Sequence, residues 1–245
     1  MRNLIAALCM SVMGTAALAG PAEYMFTPNV EQGEREIDFK FGRANNAGDY
    51  EAQGSIGFGA AVASRWFVEA YGVWEKAPGE HTRFAAFELE NKFQLTETGQ
   101  FPIDVGLIME LEIPRESSEQ REFVVGPLLQ AETGRVQCNF NVLFERKFGG
   151  ELNPGEDRDT VLRYQGQIKY RLQPAFEFGV QAFGEVGKWN DWEARDDQAH
   201  RIGPAVFGMF HIGARRRLVY NAAWLFGATR ATPDNTFRLQ VEMEF

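Results

Sequence analysis

The last nine residues, Phe237-Arg238-Leu239-Gln240-Val241-Glu242-Met243-Glu244-Phe245, constrain this chain more than any other stretch. Apolar and polar residues alternate there without a break, up to a final aromatic. Successive side chains of a strand point to opposite faces, so a strict period of two predicts a strand with one apolar and one polar face. Such a strand needs neighbours, and the rest of the chain has to supply them.

The same alternation recurs upstream. Glu36, Asp38 and Lys40 oppose Ile37, Phe39 and Phe41 in a first strand, followed by a polar turn at residues 43–49. A weaker, Gly-rich second strand covers about 50–61, a third 64–75 and a fourth 82–93. The fifth sets Ile103, Val105, Leu107, Met109 and Leu111 against Asp104, Gly106, Ile108, Glu110 and Glu112. The sixth, 121–130, mixes its faces and gives no orientation. The seventh covers 135–147, the eighth about 162–171, the ninth about 176–185, the tenth 200–211 and the eleventh about 218–226. Connections after odd-numbered strands read as longer and more charged than those after even-numbered ones, the asymmetry of a barrel with both ends of its sheet in the periplasm.

Twelve strands is an even count, and each is long enough to cross a bilayer when tilted. The predicted fold is therefore all-β: a twelve-stranded antiparallel transmembrane β-barrel in one domain, residues 20–245, with residues 20–32 as a short periplasmic lead-in. A soluble sandwich or lipocalin-like barrel would have to bury twelve apolar faces in too small a core. A membrane barrel turns them to lipid and closes its sheet. The closing strand resembles the C-terminal strand of bacterial outer-membrane barrels, where a terminal Phe is usual. That resemblance implies membrane lipid as surroundings and the barrel assembly machinery as a partner that recognises the strand ending in Phe245.

The other end of the chain is consistent with export. Arg2 precedes an apolar run over residues 4–18 and an Ala17-Leu18-Ala19 cleavage pattern, so residues 1–19 read as a signal peptide. Its removal leaves one cysteine, Cys138, and no internal disulfide framework. The formal charge of −9 argues against nucleic acid as a partner.

His200-Arg201-Ile202-Gly203-Pro204, Phe207-Gly208, Tyr220, Leu225-Phe226-Gly227, Thr232-Pro233-Asp234-Asn235-Thr236 and the closing Phe resemble the MetA-pathway phenol-degradation family of outer-membrane proteins. The resemblance covers the last five strands best. It implies a twelve-stranded barrel and passage of small, often aromatic, compounds, and supplies no catalytic residues.

If the apolar faces meet lipid, the polar faces line the lumen. The lining then includes Glu69, Glu88, Asp104, Glu110, Glu145, Arg163, Lys169, Glu177, Glu185, Arg201, Arg238 and Glu242. Acidic residues dominate strands one to seven, and basic ones gather on strand eight with Arg201 and Arg238. A charge distribution of this kind sets a transverse field that favours cations and neutral solutes over anions. The expected function is an outer-membrane channel for small solutes, with no cofactor, metal or catalytic group. Two alternatives stand beside it. Lumenal ion pairs can instead fill a closed, structural barrel. A lipid hydrolase would need a Ser–His pair, yet His81, His200 and His211 are scattered, and Ser55 and His200 are the residues such a pair would require. Trp189 and Trp192, in an exposed loop, are expected to pack on their own loop, with capping the pore or touching a ligand as the alternative. Intact-mass measurement on protein extracted from the outer membrane should give a chain that starts at Gly20; a mass that retains residues 1–19 would contradict the signal-peptide reading.

Overall fold

In the computed structural model, which describes residues 20–152, 158–213 and 216–245, the alternation becomes thirteen strands. The expected signal peptide lies outside the described residues. The strands are β1 (Arg35–Asn46), β2 (Asp49–Ala63), β3 (Trp66–Lys76), β4 (Arg83–Gln94), β5 (Asp104–Pro114), β6 (Arg121–Thr133) and β7 (Val136–Phe148). They continue as β8 (Thr160–Gln173), β9 (Phe176–Lys188), β10 (Asp191–Trp192), β11 (Ala199–His211), β12 (Arg217–Gly227) and β13 (Asn235–Glu244). β10 is a two-residue ribbon on the end of β9. The other twelve form one antiparallel ring, in which β9 pairs β11 and β13 pairs β1. The expected closure is met residue by residue: Ile37 opposes Met243, Phe39 opposes Val241 and Phe41 opposes Leu239. The backbone N–H of Phe245 donates to the carbonyl of Arg35 at 2.8 Å and ties down the end of the seam.

Exposure shows which way each face points. On β1, Glu36, Asp38 and Lys40 are 7, 1 and 3% exposed, whereas Ile37 and Phe39 are 41 and 40% exposed. Polar residues point in and apolar ones point out, the reverse of a soluble protein. Aromatics pair across strands on the outer face, with Trp66 stacked on Phe93 at 5.7 Å between centroids and Phe210 on Tyr220 at 5.8 Å. Cys138 is exposed on that same apolar outer face.

β6 now has an orientation. Val124, Gly126, Leu128 and Gln130 are buried, so three of the four buried inward positions lack a polar group. Val124 and Leu128 belong to an interior apolar cluster with Phe26, Ile108 and Leu143, which is why no polar face could be found for this strand.

Two connections differ from expectation. The turn predicted at 43–49 is mostly strand, and Ala47–Gly48 alone closes the β1–β2 hairpin. Both residues have positive φ, 46° and 93°, as a two-residue hairpin of the primed type requires. Residues 95–103, after β4, form a longer connection than the short ones expected after even-numbered strands. It is pinned by Gly99 N–H donating to Asp104 at 2.7 Å and Val105 N–H donating to Thr96 at 2.8 Å. Leu239 sits midway along β13 on the outer face, beside inward Arg238. Leu239→Arg should lower the free energy of folding into bilayers by about 2–4 kcal/mol, the cost of a basic side chain at the lipid midplane. An unchanged value in refolding titrations would mean that this face does not meet lipid.

Candidate functional site

The barrel interior is occupied by the chain's own residues 20–34. Sequence reading placed residues 20–32 in the periplasm, and the structure corrects this. Pro21 and Ala22 lie against Gly42 in the half of β1 nearer the β1–β2 hairpin, and Pro28 lies against Gly106 near the start of β5, at the opposite end of the barrel. The segment thus descends through the lumen as a thread before β1 begins. A side chain at either glycine would collide with it.

The thread is held there because its backbone groups find partners, as buried amides must. Gln165 accepts from Phe26 N–H at 3.2 Å and donates to the carbonyl of Tyr24 at 2.9 Å. Asn141 donates to the carbonyl of Phe26 at 2.9 Å. Gln94 accepts from Val30 N–H at 2.8 Å. The inward amides of β4, β7 and β8 thereby serve the thread as a neighbouring strand would. Phe26 packs into the cluster of Ile108, Val124, Leu128 and Leu143, with Tyr24 against it at 4.8 Å between ring centroids.

Charge fixes the thread as well. Glu23 accepts from Arg163 at 2.8 Å, Arg201 at 2.7 Å and Gln165 at 3.0 Å. Arg163 also donates to Glu145 at 2.7 Å. On the facing wall Lys40 lies between two rings, 3.4 Å from the centroid of Tyr24 and 3.7 Å from that of Tyr71. It donates to Glu90 at 3.0 Å, and Tyr24 O–H donates to the same carboxylate. Tyr71 O–H bonds both Asp38 at 2.9 Å and Glu69 at 2.6 Å.

The thread divides the lumen into two chambers that share Tyr24 and Phe26 as a common wall. The chamber at the end where β1 starts and β13 finishes, the end expected to face the periplasm, is about 680 Å³ and includes Glu69, Lys169, Glu177 and Glu242 in its lining. The other, extracellular by the same expectation, is about 270 Å³ and includes Glu88, Glu110, Glu145 and Arg163. Glu185 and Arg201 line a small side pocket with Glu23 and Phe183. Asp104 caps the 95–103 turn, and Arg238 is buried in the wall with 1% exposure. Of the twelve side chains expected to line the lumen, ten therefore meet a cavity and two serve the wall.

Among the described residues, two carboxylate trios approach within 4.8 Å, Glu88–Glu90–Glu110 and Glu34–Glu36–Glu244. Lys40 answers the first through Glu90, and Arg217 bonds Glu244 in the second. At the periplasmic rim, burial raises the Glu34 carboxyl above its ordinary value, with Lys92 opposing and Glu244 adding to the shift.

Other sequence candidates are not brought together. Ser55 is buried on the inner face of β2. His200 faces outward, where its ring meets Tyr164 O–H at 3.0 Å and Gln198 at 2.9 Å. Trp192 donates to the carbonyl of Trp189 within the loop, and the Trp189 ring meets outer-face Phe144 at 6.5 Å, so both stay on the outside of the barrel. The residues that sequence reasoning missed are Glu23, Tyr24 and Phe26. Two signals pointed to them: buried amides beyond the needs of ion pairing, and an inner face of β6 too apolar for water.

No protein-family model matches the sequence, and no curated protein matches it. Among solved structures, the chain is similar to the COG4313 outer membrane channel from Pseudomonas putida F1, at TM-score 0.59 and 10% identity over 91% of this chain and 98% of that one. It is similar to the NanC porin at TM-score 0.55 and 13% identity, over 85% and 98%. It is similar to the KdgM porin at TM-score 0.53 and 8% identity, over 86% and 98%. Identities this low establish the fold. A closed twelve-stranded barrel of this kind with an apolar outer face is a bacterial outer-membrane protein.

Lys40→Met should cost about 3–5 kcal/mol, because it strands the carboxylates around it. Adding Glu90→Gln should restore a large part of that loss in denaturant titrations of the micellar protein. Equal loss in single and double variants would assign Lys40 a packing role against Tyr24 and Tyr71 instead.

Proposed function

We propose that this protein is an outer-membrane channel for small solutes whose pathway is the two chambers, with the thread as their partition. The observation that carries the reading is a pair of polar-lined cavities, about 680 and 270 Å³, meeting at one aromatic wall. In the extracellular chamber Glu23, Glu75, Glu88, Glu110, Glu112, Glu122 and Glu145 outnumber Lys40, Lys147 and Arg163. That excess supports a mostly acidic lumen and a preference for cations and neutral molecules over anions. Tyr24 and Phe26, with Phe207 in the periplasmic chamber, offer flat apolar surfaces suited to small aromatic compounds. The sequence resemblance to the MetA-pathway phenol-degradation family supports the same solute class. The signal peptide over residues 1–19 and the assembly signal ending in Phe245 belong to this reading.

The thread also favours a second reading, a barrel sealed for structural reasons. Planar-bilayer recordings separate the two. The channel reading expects small, cation-preferring conductance from the intact protein, a several-fold rise when residues 21–30 are deleted, and uptake of small phenols into liposomes. Silence from the intact protein with no phenol uptake, alongside conductance from the deletion variant, would establish the sealed barrel.

A further inference from the structure

Glu23 engages two of the three arginines, Arg163, Arg201 and Arg238, that are buried in this part of the barrel. Arg163 and Arg201 each donate to its carboxylate at 2.8 and 2.7 Å. Arg238 does not. Its side chain is 1% exposed, and neither terminal nitrogen has a hydrogen-bond partner. A buried guanidinium left in that state is costly, since five donors in a fixed fork call for an anionic partner. The Arg238 and Arg201 guanidiniums lie near the same phenyl ring, 5.1 and 5.6 Å from the centroid of Phe183. Ala223 opposes Arg238 and Ala205 opposes Ala223, so small side chains leave the long one room to cross the wall toward Phe183.

We infer that Arg163, Arg201 and Arg238 form a carboxylate-binding site at the waist of the lumen, that Glu23 fills it as a tethered ligand, and that a solute carboxylate enters by exchange with Glu23. A tethered carboxylate is fixed by the backbone of the thread and engages two arginines. A free one can turn to face the third. That extra contact is the differential affinity that favours the exchanged state. Exchange also leaves the charge unchanged. Glu51 and Glu185 line the pocket that holds Glu23 and Arg201, so adding an anion without releasing Glu23 would crowd like charges. Planar geometry matches carboxylate to the guanidinium fork. The Phe183 ring beside two of the arginines suits benzoate over acetate. Binding stands whether or not the barrel conducts; the exchange step rests on the channel reading, and because it adds no net charge it admits a carboxylate despite the lumen's general preference against anions.

The test uses the full chain in micelles with Cys138→Ser. Glu23→Gly should melt at lower temperature, and millimolar acetate or benzoate should restore the melting point saturably, while chloride at equal ionic strength should not. Arg238→Met in that background leaves the remaining arginines in place and should weaken the rescue about tenfold, the worth of one charge-assisted hydrogen bond. Exchange is read separately with Glu23 intact. A cysteine in place of Ala22 should react several-fold faster with a maleimide in benzoate than in chloride. Equal rescue by chloride, or full rescue without Arg238, would overturn the site. Rescue with unchanged maleimide rates would overturn the exchange. Should Glu23→Gly fail to fold, Glu23→Gln carries the same comparison. Absence of conductance beside a positive rescue would count against the channel and leave the site standing.

Discussion

Everything in this molecule depends on the pairing of β1 with β13. Hydrocarbon offers no hydrogen bonds, so a sheet in lipid is stable only when its last edge meets its first. Ten residue pairs make that seam, from Glu36 opposite Glu244 to Asn45 opposite Asn235. Once the ring is shut, the period of two acquires a meaning: odd residues of β1 meet lipid and even ones meet whatever lies inside. The interior then has to be filled or lined by groups that tolerate confinement with little water.

Here it is filled by the chain itself. The thread pairs with no strand, and its backbone groups are served instead by inward side-chain amides, much as a neighbouring strand would serve them. Gln165 and Asn141 do this for Tyr24 and Phe26. Its charges are met from both walls, through Glu23 on one side and the Lys40–Tyr24–Glu90 contact on the other. Buried ionic contacts of this type add little net stability against a well-packed apolar core. They do specify one position for the thread, because sliding it by a residue separates Glu23 from its arginines.

Much of the fold was legible because alternation is a local property. β13 shows it without interruption, and β5 and β7 show it with inward Ile108 and Leu143 as exceptions; the limits of all three agree with the sequence to within a few residues. The first turn was misplaced because Asn45 and Asn46, strong turn formers by composition, are paired with Tyr50 and Asp49 in the hairpin. β6 resisted orientation for a different reason. Its inner face is shaped by Phe26, about a hundred residues away in sequence, and no local pattern reports such a neighbour. Inner-wall charges such as Glu69 and Arg163 were readable from alternation alone. Their partners were not: the contact of Arg163 with Glu23 spans 140 residues, and Lys40 meets Glu90 across 50. Residues 20–32 carry no alternation because they pair with no strand, which made them look like a tail.

The position of the thread bears on the order of assembly. It precedes β1 in the chain, yet lies within the ring that β1 completes. A closed barrel has no opening in its wall through which a polypeptide with Tyr24, Phe26 and two prolines could be drawn sideways. The seam joins residues some two hundred positions apart, the kind of long-range contact whose closure entropy places it late in folding. The thread therefore has to lie along the inner faces of β7 and β8 while the sheet is still open, or be fed in from one mouth afterwards. In the first route the amide rows of those strands act as a cradle before they act as a wall, and the sheet curls around a segment that is already in place.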